Sequence, residues 1–229
     1  MATARVVLFG GEGRVVNRST HPSPQHSTAE ACGATTSGGR LPALQSFPLC
    51  YHKNMTLEEL VGHTLVVGTS GLQLTAEEAA HLRAIHAGGF IPFERNFESP
   101  AQFARLIAEL NTALKRELLV MVDHEGGRII RFANGVTRFP DPLALGRTAT
   151  PDELTRQGAI GAKELKALGV HVNLAPCVDV LVEGSDPVIG SRSYGADPHR
   201  VAELACARIR GLRHGGVAAC AKHFPGFGA

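Results

Sequence analysis

The sequence has no tryptophan, only 5% aromatic residues, and no apolar run that approaches the roughly 18 residues of a membrane span. The excess of positive over negative residues is also small, since 23 Lys and Arg residues against 21 Asp and Glu residues leave a net charge of +2. We therefore expect neither nucleic acid nor a membrane as a partner. A hydrophobic content of 44% and a mean hydropathy of +0.02 are typical of a soluble globular protein. No feature of the sequence specifies an oligomeric state.

Cysteine provides no disulfide framework. The five cysteines have irregular spacing and form no CxxC motif; they are Cys32, Cys50, Cys177, Cys206 and Cys220. A chain of 229 residues can bury a core without covalent cross-links, so an odd number of cysteines favours reduced thiols. The N-terminus also lacks the apolar segment of about 7–15 residues found in signal peptides. The sequence therefore predicts a cytoplasmic protein.

The composition of the chain changes near residue 54. Residues 17–53 are rich in Ser, Thr, Pro, Gly, His and Gln and have no sustained period, so residues 1–54 are predicted to be a disordered or extraneous extension. The glycine-rich segment 6–15 could enter a phosphate loop, but no helical pattern follows it and its third glycine is missing. We therefore predict no dinucleotide cofactor, and place the functional domain at residues 55–229.

From residue 56 onward, helix-capping signals alternate with short apolar runs. The S/T-x-x-E/Q capping boxes are Thr56 with Glu59, Thr75 with Glu78, Ser99 with Gln102, and Thr150 with Glu153. First-turn prolines are expected at Pro100, Pro151 and Pro198, the last behind Asp197 as cap. Strand candidates lie at residues 65–68, 89–93, 118–122, 170–174 and 217–220. Strands that alternate with helices predict an α/β fold with a parallel sheet.

Polar side chains directly follow three of these strands. Asp123 to Glu125 follow the third strand, residues 176–179 follow the fourth, and Lys222 and His223 follow the fifth. Polar residues at several successive strand ends are typical of a (β/α)₈ barrel, whereas an open sheet concentrates its site at one switch point. Residues 55–229 are fewer than the roughly 200 that a complete barrel needs. The prediction is an incomplete TIM-type (β/α)₈ barrel of about five strand–helix units.

The strand ends carry motifs that resemble those of glycoside hydrolase family 3, particularly its β-N-acetylglucosaminidase branch. The motifs are MVDHEGGRIIRF at 121–132, NLAPCVDV at 173–180, IGSRSYG at 189–195 and AKHFPG at 221–226. The resemblance begins near residue 55, includes GGFIPFERN at 88–96, and reaches the last residue. It implies a (β/α)₈ barrel and retaining hydrolysis of terminal β-linked N-acetylglucosamine. It also implies a role in recycling peptidoglycan fragments in the bacterial cytoplasm.

Matched residue by residue, the resemblance implies substrate-binding roles for Asp123, Arg131, Arg192, Lys222 and His223. A carboxylate that accepts from sugar hydroxyls, with cations that donate to others, fixes the orientation of a pyranose ring. Gly126 and Gly127 predict a sharp turn after the third strand, so that Arg128 and Arg131 point differently and Arg131 faces the pocket. The resemblance implies no cofactor, and residues 55–229 contain no HxxxH or HExxH motif, so no metal site is predicted.

Several polar neighbours have structural interpretations instead. We expect Glu125 to form an ion pair or a backbone contact, His124 to be incidental, and Asp179 to cap a loop beside the pocket. His171, inside the fourth strand, is interpreted as a satisfied core histidine. Without the motif, Arg192 would be interpreted as a solvated surface charge.

No residue present can be assigned a catalytic role. In this branch of the family, the acid/base is a histidine oriented by an aspartate, on a loop after a KHFPGHGD-type motif, and the nucleophilic aspartate comes later. This chain reads KHFPGFGA, with Phe227 and Ala229 where histidine and aspartate are usual. The chain alone is therefore expected to be inactive, because sugar binding stabilises the ground state and the transition state alike. A frameshift or a truncated gene would explain the altered motif.

Two other functions fit the same residues. Lys222 at a strand end could form a Schiff base with a carbonyl substrate, as in an aldolase-type lyase, or could belong to an ion-pair element at the barrel rim. Alternatively, the chain is a non-catalytic sugar-binding remnant that retains Asp123 and Arg131. β-Glucosidases share much of this barrel, but the AKHFPG and GSRSYG segments favour N-acetylglucosamine.

Overall fold

The computed structural model describes residues 55–227 and has an α/β fold with five parallel strands in chain order. The strands are β1 (Val66–Val67), β2 (Gly89–Phe90), β3 (Leu119–Val122), β4 (Val172–Asn173) and β5 (Ala218–Ala219). Each strand lies inside the apolar run that predicted it, so these five predictions are confirmed. The predicted extension over residues 1–54 falls outside the described residues and stays a prediction.

The first helix precedes β1, and the other helices connect successive strands. They are α1 (Leu57–Gly62), α2 (Ala76–Ala84), α3 (Pro100–Leu114), α4 (Pro142–Thr148), α5 (Pro151–Ala167) and α6 (Pro198–His214). The capping boxes predicted at Thr56, Thr75 and Thr150 are confirmed, because each hydroxyl accepts from the backbone N–H of a glutamate whose carboxylate accepts in return. The five parallel strands and the helices between them form part of a TIM-type barrel, with four strand–helix units and a fifth strand within residues 55–227.

The capping box predicted at Ser99 is only half present. The Ser99 hydroxyl accepts from the backbone N–H of Gln102. The side-chain oxygen of Gln102, however, accepts from the N–H of Glu98 at 2.9 Å, while its amide nitrogen donates to the Leu72 carbonyl at 2.7 Å. The hydrogen bond from the Ser99 N–H to the Gln102 side chain, which would complete the box, is absent. The Gln102 side chain instead bonds Glu98 and the loop after β1.

Successive strand residues pack into two different layers, because side chains alternate across a strand. Phe90, Val120 and Val122 belong to a large apolar cluster with Phe103 and Leu106 of α3. A smaller cluster on the other side of the strands consists of Val66, Met121 and Leu174. Both sides of the strands are therefore covered by apolar residues, as in the parallel sheet of a (β/α)₈ barrel.

Helices α5 and α6 pack closely at two glycines. A Cβ added to Gly211 of α6 would lie 2.2 Å from the Thr155 carbonyl oxygen and 2.8 Å from the Cα of Gly158 in α5. Real Cβ atoms do not approach backbone atoms so closely, so the two helices would have to move apart.

The change Gly211→Ala is expected to lower the free energy of unfolding by about 1–3 kcal/mol, since overpacking a tight contact costs that much. The loss is expected even though alanine is favoured over glycine in helices by about 1 kcal/mol. Urea denaturation measures it. Gly71→Ala is the control, because no atom lies within 4 Å of its added Cβ. A Gly211→Ala protein at least as stable as the wild type would contradict this packing.

No helix within residues 55–227 is both long and apolar enough to cross a bilayer. Cys177 and Cys220 are free, which confirms the expected reduced thiols at these two positions. Cys206 in α6 is disulfide-bonded, so the expectation is wrong there. The count and spacing of cysteines along a chain do not determine which of them lie near each other in space.

Candidate functional site

Charged residues from the ends of β3 and β5 meet in one ion-pair cluster. The ammonium of Lys222, beyond β5, lies 2.6 Å from Oδ1 of Asp123 and 2.6 Å from Oε1 of Glu125, both beyond β3. Their side chains are 14%, 12% and 1% exposed respectively. Lys222 and Asp123 are 99 residues apart along the chain, and the parallel strand ends bring them together.

Backbone pairing continues beyond β4 and β5 and fixes Lys222 in place. Its N–H donates to the Pro176 carbonyl at 3.1 Å, and the N–H of Val178 donates to the Lys222 carbonyl at 2.7 Å. The segments after the two strands are therefore held in register as far as the charged cluster.

Arg192 completes the buried network from a short 3₁₀ helix, Gly190–Arg192. Its Nε and Nη2 atoms donate to the two carboxylate oxygens of Glu125 at 2.9 and 2.8 Å. This bidentate hydrogen bonding to Glu125 raises the pKa of the Arg192 guanidinium. The interpretation of Glu125 as an ion-pair residue is confirmed, and that of Arg192 as a solvated surface charge is wrong because its side chain is buried and paired.

Arg131 lies at the edge of this cluster. Its Nη2 is 3.8 Å from Oδ2 of Asp123, and its Nη1 donates to Oε1 of Glu94 at 3.0 Å. The guanidinium also lies over the Phe93 ring, 5.4 Å from the ring centroid. Glu94 was missed by the sequence analysis, because a charged residue in the three-residue 3₁₀ helix after β2 carries no periodic signal that indicates its partner.

The turn after β3 separates two arginines, as predicted. Gly126 and Gly127 have φ values of +110° and +55°, which favour glycine. Beyond this turn, Arg128 donates to backbone carbonyls that include that of Ile189, whereas Arg131 points towards Asp123. The predicted divergence is confirmed.

His223 is held by Asp179, which follows β4. Its Nδ1 lies 2.7 Å from Oδ2 of Asp179, and its Nε2 lies 3.3 Å from Nη2 of Arg192. Burial opposes ionisation of Asp179, but hydrogen bonds from His223, Cys177 and the Phe227 N–H outweigh it and lower the pKa of the carboxyl. An ionised carboxylate only accepts, so Nδ1 carries the ring proton and Nε2 accepts from Arg192. The interpretation of Asp179 as a loop cap is confirmed.

Two histidines have different environments. His171, directly before β4, accepts from the Val120 N–H through Nδ1 at 2.9 Å, so it is hydrogen-bonded as expected, but it is half-buried and not a core residue. His124 is not incidental, because its ring is buried and stacks on Phe132 with centroids 5.7 Å apart. Burial, reinforced by the charge of Arg208, lowers the pKa of His124 to about 4. The position of His124 after a strand indicated that it lies near the charged cluster. It did not indicate that the ring packs inward against Phe132.

All five residues predicted to bind substrate thus lie at the carboxyl end of the sheet. Asp123, Arg192, Lys222 and His223 form one connected network, and Arg131 adjoins it. Their role in binding stays a prediction. The Schiff-base alternative is disfavoured, because an imine would remove the ammonium that Asp123 and Glu125 share. The ion-pair interpretation of the Lys222 segment is compatible with a ligand site at the same place.

The chain matches the family model described as glycosyl hydrolase family 3 N terminal domain over residues 56–229. A β-hexosaminidase of Bordetella avium is 43% identical over 171 residues, which cover 72% of this chain and 49% of that protein. A β-hexosaminidase of Neisseria meningitidis serogroup C is 40% identical over 181 residues, which cover 76% of this chain and 50% of that protein. The chain spans about half the length of these curated relatives.

Solved structures agree with this match. The glycoside hydrolase family 3 β-N-acetylglucosaminidase from Paenibacillus sp. str. FPU-7 has 39% identity and a TM-score of 0.71, with 76% of this chain and 34% of that chain covered. NagZ from Neisseria gonorrhoeae, in complex with N-trifluoroacetyl-D-glucosamine, has 38% identity and a TM-score of 0.66, with 70% and 50% covered. The resemblance deduced from the motifs is confirmed, and the chain belongs to glycosyl hydrolase family 3.

Proposed function

We propose that this chain supplies the sugar-binding part of a retaining β-N-acetylhexosaminidase. Its substrates are terminal, non-reducing β-linked N-acetylglucosaminides of the kind released when peptidoglycan is recycled. The convergence of Asp123, Lys222 and Arg192 from separate strand ends is the observation that carries the proposal. The β-hexosaminidase names of the relatives and the N-acetylglucosamine analogue bound by the gonococcal protein support it.

The ion pairs leave hydrogen-bonding capacity for a sugar. An ammonium has three donors, and Lys222 uses two of them on Asp123 and Glu125. Oδ2 of Asp123 is 3.8 Å from Arg131, which is beyond hydrogen-bond distance, so it can accept from a ring hydroxyl. The side chain of Arg131 is 19% exposed and can donate to a further hydroxyl. A pyranose held by both acceptors and donors has one favoured orientation.

The chemical step requires groups other than these. Retaining hydrolysis uses one carboxylate as nucleophile and a second group as acid/base on the leaving-group side. Asp123, Glu125 and Asp179 are each held in an ion pair or hydrogen bonds to the binding residues. We infer that the catalytic pair of the active enzyme comes from the half of the relatives' length that this chain does not cover.

A cytoplasmic location is part of the same proposal. The free thiols of Cys177 and Cys220 support it, and the disulfide at Cys206 weighs against it. Cell fractionation followed by immunoblotting tests the location, and protein found only in the cell-wall or secreted fraction would contradict it.

Asp123→Asn is expected to weaken N-acetylglucosamine binding by about 10–100-fold, because a hydrogen bond to a charged group contributes about 1.5–3 kcal/mol. Isothermal titration calorimetry on the 229-residue chain measures the affinity. Asp152→Asn, the same change at an exposed position of α5, is the control and should bind like the wild type. An Asp123→Asn protein with wild-type affinity, or a wild-type chain that binds no sugar, would contradict the proposal.

A chromogenic substrate separates binding from catalysis. The chain alone should bind p-nitrophenyl N-acetyl-β-D-glucosaminide without releasing p-nitrophenol. Release at an enzymatic rate would overturn the inference that the catalytic pair lies elsewhere. Borohydride trapping of a carbonyl substrate on Lys222 would instead favour the lyase alternative.

A further inference from the structure

Beside the charged cluster lie three side chains with the donor atoms of a metal site. They are the thiol of Cys177, the carboxylate of Asp179 and the imidazole of His223, and one ligand atom from each lies within 4.8 Å of the others. Sγ of Cys177 is 3.1 Å from Oδ2 of Asp179, and Nδ1 of His223 is 2.7 Å from the same oxygen. The predicted sugar-binding role involves His223 and leaves the thiol without a function.

We propose that Cys177, Asp179 and His223 bind a zinc ion, with water as the fourth ligand. Zinc prefers tetrahedral sites with sulfur at about 2.3 Å and nitrogen or oxygen at about 2.0–2.2 Å. These bond lengths place ligand atoms on the order of 3–4 Å from one another, so the side chains need to separate only slightly. A thiolate and an imidazole favour zinc over magnesium and calcium, which prefer oxygen ligands.

The backbone holds the three ligands in place. Cys177 and Asp179 belong to one segment after β4, and Cys177 pairs with Lys222, the residue before His223, in a parallel bridge. Cys177 and Asp179 are buried, whereas the side chain of His223 is 31% exposed. The ion therefore reaches the buried donors from the side of His223.

Zinc binding moves two protons and involves no oxidation. The thiol of Cys177 releases its proton to water and forms the zinc–sulfur bond, and Oδ2 of Asp179 binds as the carboxylate. Nδ1 of His223 binds through its lone pair, so the ring proton moves from Nδ1 to Nε2 and the imidazole stays neutral. The divalent charge is then balanced by one thiolate and one carboxylate.

This change of tautomer links the metal to the sugar site. Nε2 of His223 lies 3.3 Å from Nη2 of Arg192 and accepts from it. Once Nε2 carries a proton, two donors face each other, and the two side chains cannot both keep their positions. Both are proposed sugar ligands, so zinc and N-acetylglucosamine weaken each other's binding reciprocally. This second step rests on the proposed function, whereas the zinc site itself does not.

Metal titration of the full chain, after treatment with a chelator, tests the site. We expect one zinc ion per chain by calorimetry, and a thiolate-to-cobalt charge-transfer band when cobalt(II) is the probe. Cys177→Val should remove the band and weaken zinc binding about 100-fold or more, since the loss of even an outer-shell partner costs 10–100-fold. Cys220→Val, at a second free thiol of the described residues, is the matched control and should keep both signals.

Circular dichroism checks the fold of the Cys177→Val protein. His223→Gln, at a partly exposed position, is a second variant that should weaken zinc binding without disturbing the core. A wild-type chain that binds no zinc would overturn the site, as would a charge-transfer band that survives in Cys177→Val.

Sugar titration with and without saturating zinc tests the coupling. Zinc should weaken N-acetylglucosamine binding at least about fivefold in the wild type and leave the affinity of Cys177→Val unchanged. Equal sugar affinity with and without zinc would overturn the coupling. A chain that binds zinc and no sugar under either condition would overturn the proposed function and uphold the metal site.

Discussion

Glu125→Gln is expected to lower the free energy of unfolding by about 3–5 kcal/mol, the cost of removing one partner from a buried ion pair. The Glu125 side chain is 1% exposed and binds both Arg192 and Lys222, at 2.8 and 2.6 Å. Glutamine has nearly the same shape and no charge, so the two cations keep their positions without the carboxylate that compensates them. Lys222 then keeps its ion pair with Asp123, and Arg192 loses the carboxylate that it binds.

Urea denaturation of the wild type and the variant measures the loss. Glu203→Gln is the matched control, because Glu203 binds Arg200 at 2.7 Å on the surface, with the two side chains 50% and 30% exposed. An exposed pair contributes about 1 kcal/mol or less, so the control should stay close to the wild type. Equal losses in the two variants would contradict the view that burial makes the Glu125 network costly to break.

A double-mutant cycle measures the energetic coupling between Glu125 and Lys222. Lys222→Met in the wild type leaves two carboxylates without their shared cation, whereas in Glu125→Gln it removes one of the cations left in excess. The second substitution should therefore cost less in the variant background than in the wild type, by roughly 0.5–3 kcal/mol. Strict additivity would indicate that Glu125 and Lys222 are not energetically coupled.

Local signals predicted most of the fold. Threonine followed by glutamate three residues later identified three helix starts, and short apolar runs identified all five strands, because both patterns reflect interactions within a few residues. The convergence of Asp123 and Lys222 was also predictable, because the carboxyl ends of parallel strands meet at one end of the sheet.

Features that depend on loop conformation were not predictable in the same way. Glu94 and Arg131 pair across 37 residues, and Glu94 lies in a 3₁₀ helix of only three residues, Glu94–Asn96, which is too short to have a sequence period. Gln102 binds the loop after β1 instead of closing its capping box. The Cys177–Asp179–His223 cluster spans two strand ends, and its spacing matches no sequence motif for a metal site.

His124→Gln is expected to remove an acid-dependent loss of stability of about 3 kcal/mol. Burial lowers the pKa of His124 to about 4 in the folded chain, against about 6.5 for an unperturbed histidine. Between these values the unfolded state binds a proton that the folded state does not. The contribution of the neutral His124 ring to the free energy of unfolding is therefore complete above about pH 6.5 and is lost as the pH falls towards 4. At 1.36 kcal/mol per pH unit, the difference amounts to about 3 kcal/mol.

Urea denaturation at several pH values between 7 and 4 measures this contribution as the difference in slope between the wild type and His124→Gln. Glutamine can still accept from the Arg131 N–H, as Nδ1 of His124 does at 3.4 Å. His199→Gln removes an exposed imidazole from α6 and should follow the wild-type curve. Parallel curves for the wild type and His124→Gln would contradict the prediction. If the slope differs as expected, the buried ring of His124 is neutral in the folded chain and can accept from the Arg131 N–H.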